Sequence, residues 1–368
     1  MKILHIIETL GLGGAERALV DLVPYLQKKG LDINVATLFD NNDLEKELLR
    51  QNINVYNLNL SYKWNIYEGI TKLNTLIKEN KYDIIHAHLF FAYFYTGLTK
   101  PFFPKIKRIV TFHNLPFNEN NYDSLIKKIR KKIDCFILNK SFDSYIAVSN
   151  AVKEHYEEHC DFRNINTIYN PLKIKEIMSY KGDKKLKEGL DLADEDFIIL
   201  TVGRFVEQKG YKEILRIADF FEKKYKNIKF IFVGEGPLKE SLKKTMSKNI
   251  YILETMEHKE VIKLYDIADV FLLPTYEEAF GLVVAEAMIK KVPVISTNVG
   301  GLRELVIDKK TGFLVEVKNI KKIKKLIEKI YRKEIDTKYI TENAFNHIQQ
   351  FDIEKIVDEI LQVYKRII

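Results

Sequence analysis

Two carboxylates eight positions apart, Glu278 and Glu286, enclose a glycine in the segment Glu278-Ala279-Phe280-Gly281-Leu282-Val283-Val284-Ala285-Glu286. The apolar run after Gly281 reads as a helix that begins there. The amides of Gly281, Leu282 and Val283 would then lack helical partners and, aided by the helix dipole, suit a phosphate. Carboxylates only accept hydrogen bonds, so two of them beside an anion site point to hydroxyls rather than to more phosphate. A sugar nucleotide supplies both groups. The plainer alternative is that both glutamates simply favour a helix start. Arg204 and Lys209, in Val202-Gly203-Arg204-Phe205-Val206-Glu207-Gln208-Lys209-Gly210, are two cations in a loop after an apolar run. Such a pair would offset a diphosphate and stabilise it as a leaving group. A third loop, Gly11-Leu12-Gly13-Gly14, follows the first apolar run and suits close approach of a ligand, or simply a tight turn. Glu16 stands where a dinucleotide fingerprint needs its third glycine.

These residues need elements that hold them at one edge. Ile3–Ile7, Ile33–Leu38, Ile84–His86, Ile109–Phe112 and Tyr145–Val148 read as buried strands alternating with amphipathic stretches. Phe197–Val202, Lys229–Val233, Ile250–Leu253, Val270–Leu273 and Val292–Ile295 repeat the pattern. Near-continuous apolar strands are those of parallel sheets covered by helices on both faces. The fold class is therefore α/β, with two Rossmann-like doubly wound domains facing a cleft. Ligands in such sheets bind beyond the carboxyl ends of the strands, where these loops lie. The expected divisions are residues 1–172, residues 173–350, and a terminal helix over residues 351–368 that crosses back, with Pro171–Asp196 as the connection.

The length of 368 residues favours two domains, and 46% apolar with 30% charged residues excludes a disordered chain. Lys and Arg number 59 against 51 Asp and Glu, a net +8 spread evenly over both halves, so a nucleic-acid partner is not expected. The run Met1–Glu8 is too short and polar for a signal peptide, and the most apolar stretch, Leu89–Leu98, is too short to span a bilayer. Two cysteines, Cys135 and Cys160, are too few for a disulfide framework, which points to a reducing compartment. Asp194-Glu195-Asp196 resembles a metal-binding acidic triplet, but it precedes a strand and reads as a solvated turn. His86-Ala87-His88 places two imidazoles on one strand face, yet no neighbouring Cys or third His completes a metal set. No metal is expected.

Taken in order, the Gly-Gly-Ala-Glu loop, Val202-Gly203-Arg204, Val233-Gly234-Glu235-Gly236-Pro237, the two spaced glutamates and Gly300-Gly301 resemble a known family. It is that of the nucleotide-sugar-dependent retaining glycosyltransferases with the GT-B fold, of the family 4 type. The resemblance implies that Glu286 binds the ribose hydroxyls and that Glu278 contacts the transferred sugar. Arg204 and Lys209 would meet the diphosphate, alongside Gly203 and the amides of Gly281, Leu282 and Val283. His113 corresponds to the family's cleft histidine near the reacting sugar, and Gly13 and Gly14 to its N-terminal phosphate-side glycines. It implies retention of anomeric configuration with neither metal nor cofactor, the departing diphosphate receiving the acceptor's proton. Where the family often has glycine, Leu253 is followed here by Glu254-Thr255-Met256, leaving the base, UDP in first place or GDP, open.

The acceptor expected from the resemblance is a glycan or a lipid-linked glycan in cell-surface polysaccharide synthesis. Ser124–Lys140 carries Lys127, Lys128, Arg130, Lys131, Lys132 and Lys140 with Leu125, Ile126, Ile129, Ile133, Phe136 and Ile137 at helical spacing. With Lys100, Lys105, Lys107 and Arg108 nearby, it fits peripheral docking of a cytoplasmic protein on the inner membrane face, or a helix packed on its own sheet. Two rivals stand beside the transferase. One is a dinucleotide-dependent oxidoreductase or epimerase, given the first glycine loop and Asp40 after the second strand. The other is a catalytically silent binding subunit of the same fold.

Overall fold

In a computed structural model of the chain, residues 1–116, 125–160, 162, 164–182, 184–245 and 247–368 are described; Ser124 lies outside them. The chain divides into two units, Met1–Leu172 with Phe351–Ile368, and Lys173–Gln350.

Unit 1 begins with β1 (Lys2–Ile7), α1 (Gly14–Lys28), β2 (Asp32–Thr37), α2 (Glu45–Leu49), β3 (Asn54–Asn57) and α3 (Ile66–Asn80). It continues through β4 (Ile84–His88), α4 (Phe90–Leu98), β5 (Lys107–Phe112), α5 (Leu125–Ser141), β6 (Ser144–Ala147), α6 (Asn150–Cys160) and β7 (Ile165–Thr167). Unit 2 contains α7 (Ile174–Ser179), α8 (Lys184–Gly189), β8 (Phe197–Val202), α9 (Tyr211–Lys224), β9 (Ile228–Val233), α10 (Lys239–Thr245) and β10 (Ile250–Leu253). There follow α11 (His258–Tyr265), β11 (Val270–Leu273), α12 (Leu282–Ile289), β12 (Val294–Thr297), α13 (Leu302–Leu305), β13 (Phe313–Val315), α14 (Ile320–Tyr331) and α15 (Thr337–Ile348). The last helix, α16 (Ile353–Ile367), belongs to unit 1.

Each unit is one parallel sheet. Unit 1 has the strand order β3-β2-β1-β4-β5-β6-β7 and unit 2 the order β10-β9-β8-β11-β12-β13. The order reverses between β1 and β4, and between β8 and β11, so the crevices that receive ligands in such sheets lie at those two points. The strands that flank them are the apolar runs Ile3–Ile7, Ile84–His86, Phe197–Val202 and Val270–Leu273, buried nearly throughout. Three strands have no counterpart in the apolar pattern: β3, β7 and β13. All three are sheet edges of three or four residues. β3 and β7 mix polar with apolar residues, as a short edge can, whereas β13 is the apolar triplet Phe313-Leu314-Val315.

The core of unit 1 packs Ile3, Ile7, Ile33, Ile84 and Ile109 against α1, and Ile353, Ile356, Val357, Ile360, Val363 and Tyr364 of α16 join the same cluster. Unit 2 builds its core around Ile199, Phe230, Phe232, Val270 and Ile295 with α9 and α14. Within Pro171–Asp196, the stretch read as the connection, the chain forms α7 and α8, and from Lys173 onward it belongs to unit 2. Gly182 N–H donates to Asp266 (2.7 Å), and Lys290, its side chain almost wholly buried, bridges the Tyr180 carbonyl (2.6 Å) and Asp266 (2.7 Å).

Two surface expectations change. Arg108 is fully buried, its guanidinium donating to the carbonyls of Thr96, Phe103 and Ile106 and to Thr99 Oγ1, so it adds nothing to a basic surface. Cys135 and Cys160, at α5 and the end of α6, are joined as a disulfide with Cα atoms 5.1 Å apart. The pairing removes the cysteine count as an argument for a reducing compartment. Among the described residues no helix is long and apolar enough to cross a membrane.

Candidate active site

In unit 2 the loops after β8 and β11 meet at the switch point. Gly210 has φ 75°, and a Cβ there would come within 2.2 Å of the Pro274 carbonyl oxygen, so the glycine lets the two loops touch. Gln208 fastens them further: its carbonyl accepts from Tyr276 N–H (2.7 Å) and Thr275 Oγ1 (2.9 Å). Across this seam Lys209 Nζ stands 2.5 Å from Glu278 Oε2, both side chains more than four-fifths buried. The Lys209 stem passes over Gly203, whose carbonyl accepts from Tyr211 OH (2.9 Å). Arg204 sits at the start of the same loop with its side chain exposed and, among the described residues, in no ion pair. Glu277 is pushed up from the ordinary carboxyl range, first by burial and then by the charge of Glu278.

Gly281 caps α12 with φ 103°, a left-handed conformation that a side chain would strain. Leu282 and Val283 form the first turn, where backbone amides have no carbonyl within the helix. Glu286, one turn further, is buried with both oxygens engaged: Oε1 lies 2.8 Å from His258 Nε2, and Oε2 accepts from Tyr265 OH at 3.0 Å. Burial and the neighbouring carboxylate raise the Tyr265 hydroxyl well above its usual pKa, so it remains a donor. Sequence reasoning missed His258 and Tyr265 because neither belongs to the glycine and carboxylate motifs, and passed over Gln208 because it joins the loops chiefly through its backbone carbonyl. Position was the available signal: His258 and Tyr265 begin and end α11, the helix before β11.

The Glu254 departure has a local explanation. Lys239 Nζ reaches both Glu235 (2.6 Å) and Glu254 (2.8 Å), tying the glycine-proline turn after β9 to the loop after β10. The acidic triplet lies in a turn before β8 with Asp194 and Glu195 exposed, but Asp196 is buried: it accepts from Ala193 N–H (2.9 Å), and Lys187 donates to the carbonyls of Asp194 and Asp196.

In unit 1 Gly13 is the N-cap of α1 and Gly14 its first residue. The Glu16 carboxylate folds over Gly13, where a Cβ would lie 2.2 Å from Oε2, so a phosphate at this helix start would have to displace it. Glu8 accepts from Phe91 N–H at the start of α4 (3.0 Å), and burial raises its pKa. Asp40 accepts from the next amide, Asn41 N–H (2.8 Å).

His113 follows β5 and is not isolated. His88 Nδ1 lies 3.0 Å from His113 Nε2, and His88 Nε2 lies 3.0 Å from His5 Nδ1. The missing third histidine beside His86-Ala87-His88 is thus supplied by β1, in register with His86. Sequence could not show it, because His5 is 81 residues from His86.

Two parallel sheets in one chain, each with glycines and charged side chains in the loops at its switch point, make the architecture of GT-B glycosyltransferases. Anabaena HepE, solved in complex with UDP-glucose, has the same fold, with a TM-score of 0.86 over 100% of both chains at 20% identity. The family description "Glycosyltransferase Family 4" matches residues 12–176, and "Glycosyl transferases group 1" matches residues 183–347. The chain belongs to this group: it is a GT-B glycosyltransferase of the family 4 type. An uncharacterized glycosyltransferase of Methanocaldococcus jannaschii is 29% identical, covering 97% of this chain and 95% of its own. The capsular polysaccharide biosynthesis glycosyltransferase CapM of Staphylococcus aureus is 29% identical over 63% of this chain and 61% of its own.

Proposed function

We propose that this chain moves a hexosyl unit from a nucleotide diphosphate sugar, a UDP-sugar before a GDP-sugar, onto a glycan or lipid-linked glycan of a cell-surface polysaccharide. Transfer retains the anomeric configuration and uses neither metal nor cofactor. The observation that carries this is the buried Glu286 held at the start of α12, with the Lys209–Glu278 pair in the adjoining loops. HepE's complex with UDP-glucose and CapM's part in capsular polysaccharide biosynthesis support the choice of donor and product.

A carboxylate has about four lone-pair sites, and His258 and Tyr265 use two on Glu286, leaving two to accept from the ribose hydroxyls. The amides of Gly281, Leu282 and Val283 face the diphosphate. The Lys209 ammonium has three protons; one serves Glu278 and the others reach phosphate oxygens, with Arg204 closing from the exposed side. Glu278 then accepts from a sugar hydroxyl; in unit 1 His113 is assigned a hydrogen bond to the sugar, and Gly13 and Gly14 the phosphate side. The bond from the anomeric carbon to the diphosphate oxygen breaks as the acceptor oxygen bonds to that carbon on the same face. The acceptor's proton passes to the departing phosphate oxygen.

Docking on the cytoplasmic membrane face is part of this proposal, and α5 supports it. Ile129, Ile133 and Phe136 are about half exposed or more, and Lys128, Lys132 and Lys140 are exposed on the same helix. An outward apolar stripe among lysines suits an anionic lipid surface.

Thermal-shift titration with UDP, GDP and NAD tests the donor class: UDP should stabilise most, and a response to NAD alone would favour the oxidoreductase. A panel of nucleotide sugars, read by released nucleotide, then identifies the donor. In Lys209→Ala or Glu278→Ala, turnover should fall by about 10²-fold or more. Wild-type rates in both would overturn these roles, and binding without release or transfer would leave a silent subunit.

A further inference from the structure

Six side chains of unit 1 form one continuous hydrogen-bonded run. Tyr364 OH of α16 lies 2.8 Å from His86 Nδ1 and 3.3 Å from His5 Nε2. His86 Nε2 lies 2.7 Å from Thr111 Oγ1. From His5 the chain runs through His88 to His113 by the two 3.0 Å contacts already described. At the far end His113 Nδ1 is buried and has no hydrogen-bond partner among the described residues.

The nitrogens of His5, His86 and His88 lie close enough to hold a metal ion. Yet each of their six ring nitrogens is already spent on an imidazole, Tyr364 or Thr111. Two nitrogens 3.0 Å apart need a proton between them, not two bare lone pairs turned to a cation. The rings therefore hold one another.

Proton counting leaves two arrangements. A neutral imidazole has one donor and one acceptor, and a buried tyrosine has one proton to place. If Tyr364 donates to His5 Nε2, then His5, His88 and His113 must each carry the proton on Nδ1. His86 Nδ1–H then donates to the Tyr364 oxygen, and Thr111 donates to His86 Nε2. If Tyr364 donates instead to His86 Nδ1, every ring carries its proton on Nε2 and every bond in the chain reverses. Burial keeps the rings neutral: it lowers His5 to about 3 and His113 to about 4, and holds His86 and His88 well below 6.5. It also raises Tyr364 far above its usual value, so its proton stays.

We propose that His5, His86, His88 and His113 share a single tautomer, and that His88 and Tyr364 are positioning residues which decide whether His113 Nδ1 offers a proton or a lone pair. The α16 hydroxyl thereby sets the hydrogen-bonding character of a histidine it does not touch. The shared tautomer stands on the hydrogen-bond geometry, with burial keeping the rings neutral. Its consequence for sugar transfer rests on the role proposed for His113.

The test is ¹⁵N NMR of the full chain with ¹⁵N-labelled histidine at pH 7.5, where Nδ1–H and Nε2–H imidazoles give distinct shifts. The eight histidines are assigned by single substitution. Four neutral rings of one tautomer are expected, and Tyr364→Phe should shift the His113 signals. Mixed tautomers among the four, an imidazolium, an unmoved His113 in Tyr364→Phe, or a stoichiometric metal found by elemental analysis would overturn the proposal. With a donor in hand, His88→Leu should lower kcat by about 10–100-fold, the range found when the partner that orients a metal-bound imidazole is removed. The donor KM should hardly change, and His88→Asn, whose amide replaces Nδ1, should restore most of kcat. Equal losses in His88→Leu and His88→Asn would make His88 merely structural. A wild-type protein inert towards every donor would defeat the transferase reading while the spectra still decide the tautomers.

Discussion

At neutral pH His5, His86, His88 and His113 are uncharged because burial removes the water that would stabilise the imidazolium. Once unfolded, the same side chains take up protons near 6.5, so the unfolded chain binds more protons below that pH. The folded pKa values are the lower ones, hence stability is complete above 6.5 and declines as pH falls towards about 4 and 3, where His113 and His5 titrate in place. The slope is about 1.4 kcal/mol per pH unit for each imidazole. Urea unfolding at pH 7.5 and 5 should show the loss, and Trp64, the single tryptophan, reports unit 1 by its fluorescence. Equal stability at both pH values would mean that the rings are solvated. At this scale the sequence pointed to Arg204 and Lys209 beside glycines, to Glu278 and Glu286 by their spacing around Gly281, and to His113 through the family resemblance. It did not point to His5, which reads as one more member of a buried strand.

Among the elements, α5 shows most clearly where periodicity stops. The spacing of Ile129, Ile133, Phe136 and Ile137 predicts one apolar face, turned to a membrane or packed on the sheet. In the structure the face divides: Ile137 packs against Gly97 of α4, while Ile129, Ile133 and Phe136 point outward. Helical period tells which residues share a side, not what covers it. If the stripe meets lipid, the protein should float with anionic vesicles at low salt and be released as salt rises, since screening shortens to about 10 Å at 0.1 M. Ile133→Ser with Phe136→Ser should abolish flotation. Absence of binding at low salt would remove the membrane role. The edge strands β3 and β7 escaped notice for a related reason, that a short edge needs little apolar character, whereas β13 is apolar but only three residues long.

Over the whole chain, Leu172 and Phe351 mark where the backbone leaves unit 1 and returns. Leu172 N–H donates to the Phe351 carbonyl, and Ile353 N–H donates to the Leu172 carbonyl, both at 3.0 Å. After that return α16 becomes core: Ile356 and Val357 are almost completely buried against α1, and Lys29 pairs with Asp358 at 2.7 Å. Ile356→Ala should therefore lower the unfolding free energy of unit 1 by about 2–5 kcal/mol, as for other buried aliphatic truncations. Trp64 fluorescence in urea measures it, and a loss below about 1 kcal/mol would mark α16 as a surface attachment. The sequence by itself determined the two α/β units, the interior strands and the loops that carry glycine, cation and carboxylate, because apolar period and turn chemistry are local properties. Only the tertiary structure decided that His5 meets His88, that His258 and Tyr265 grip Glu286, that Arg108 is interior and that Cys135 faces Cys160. Those contacts join residues from separate elements, and their partners are selected by sheet order and burial, which no local pattern encodes.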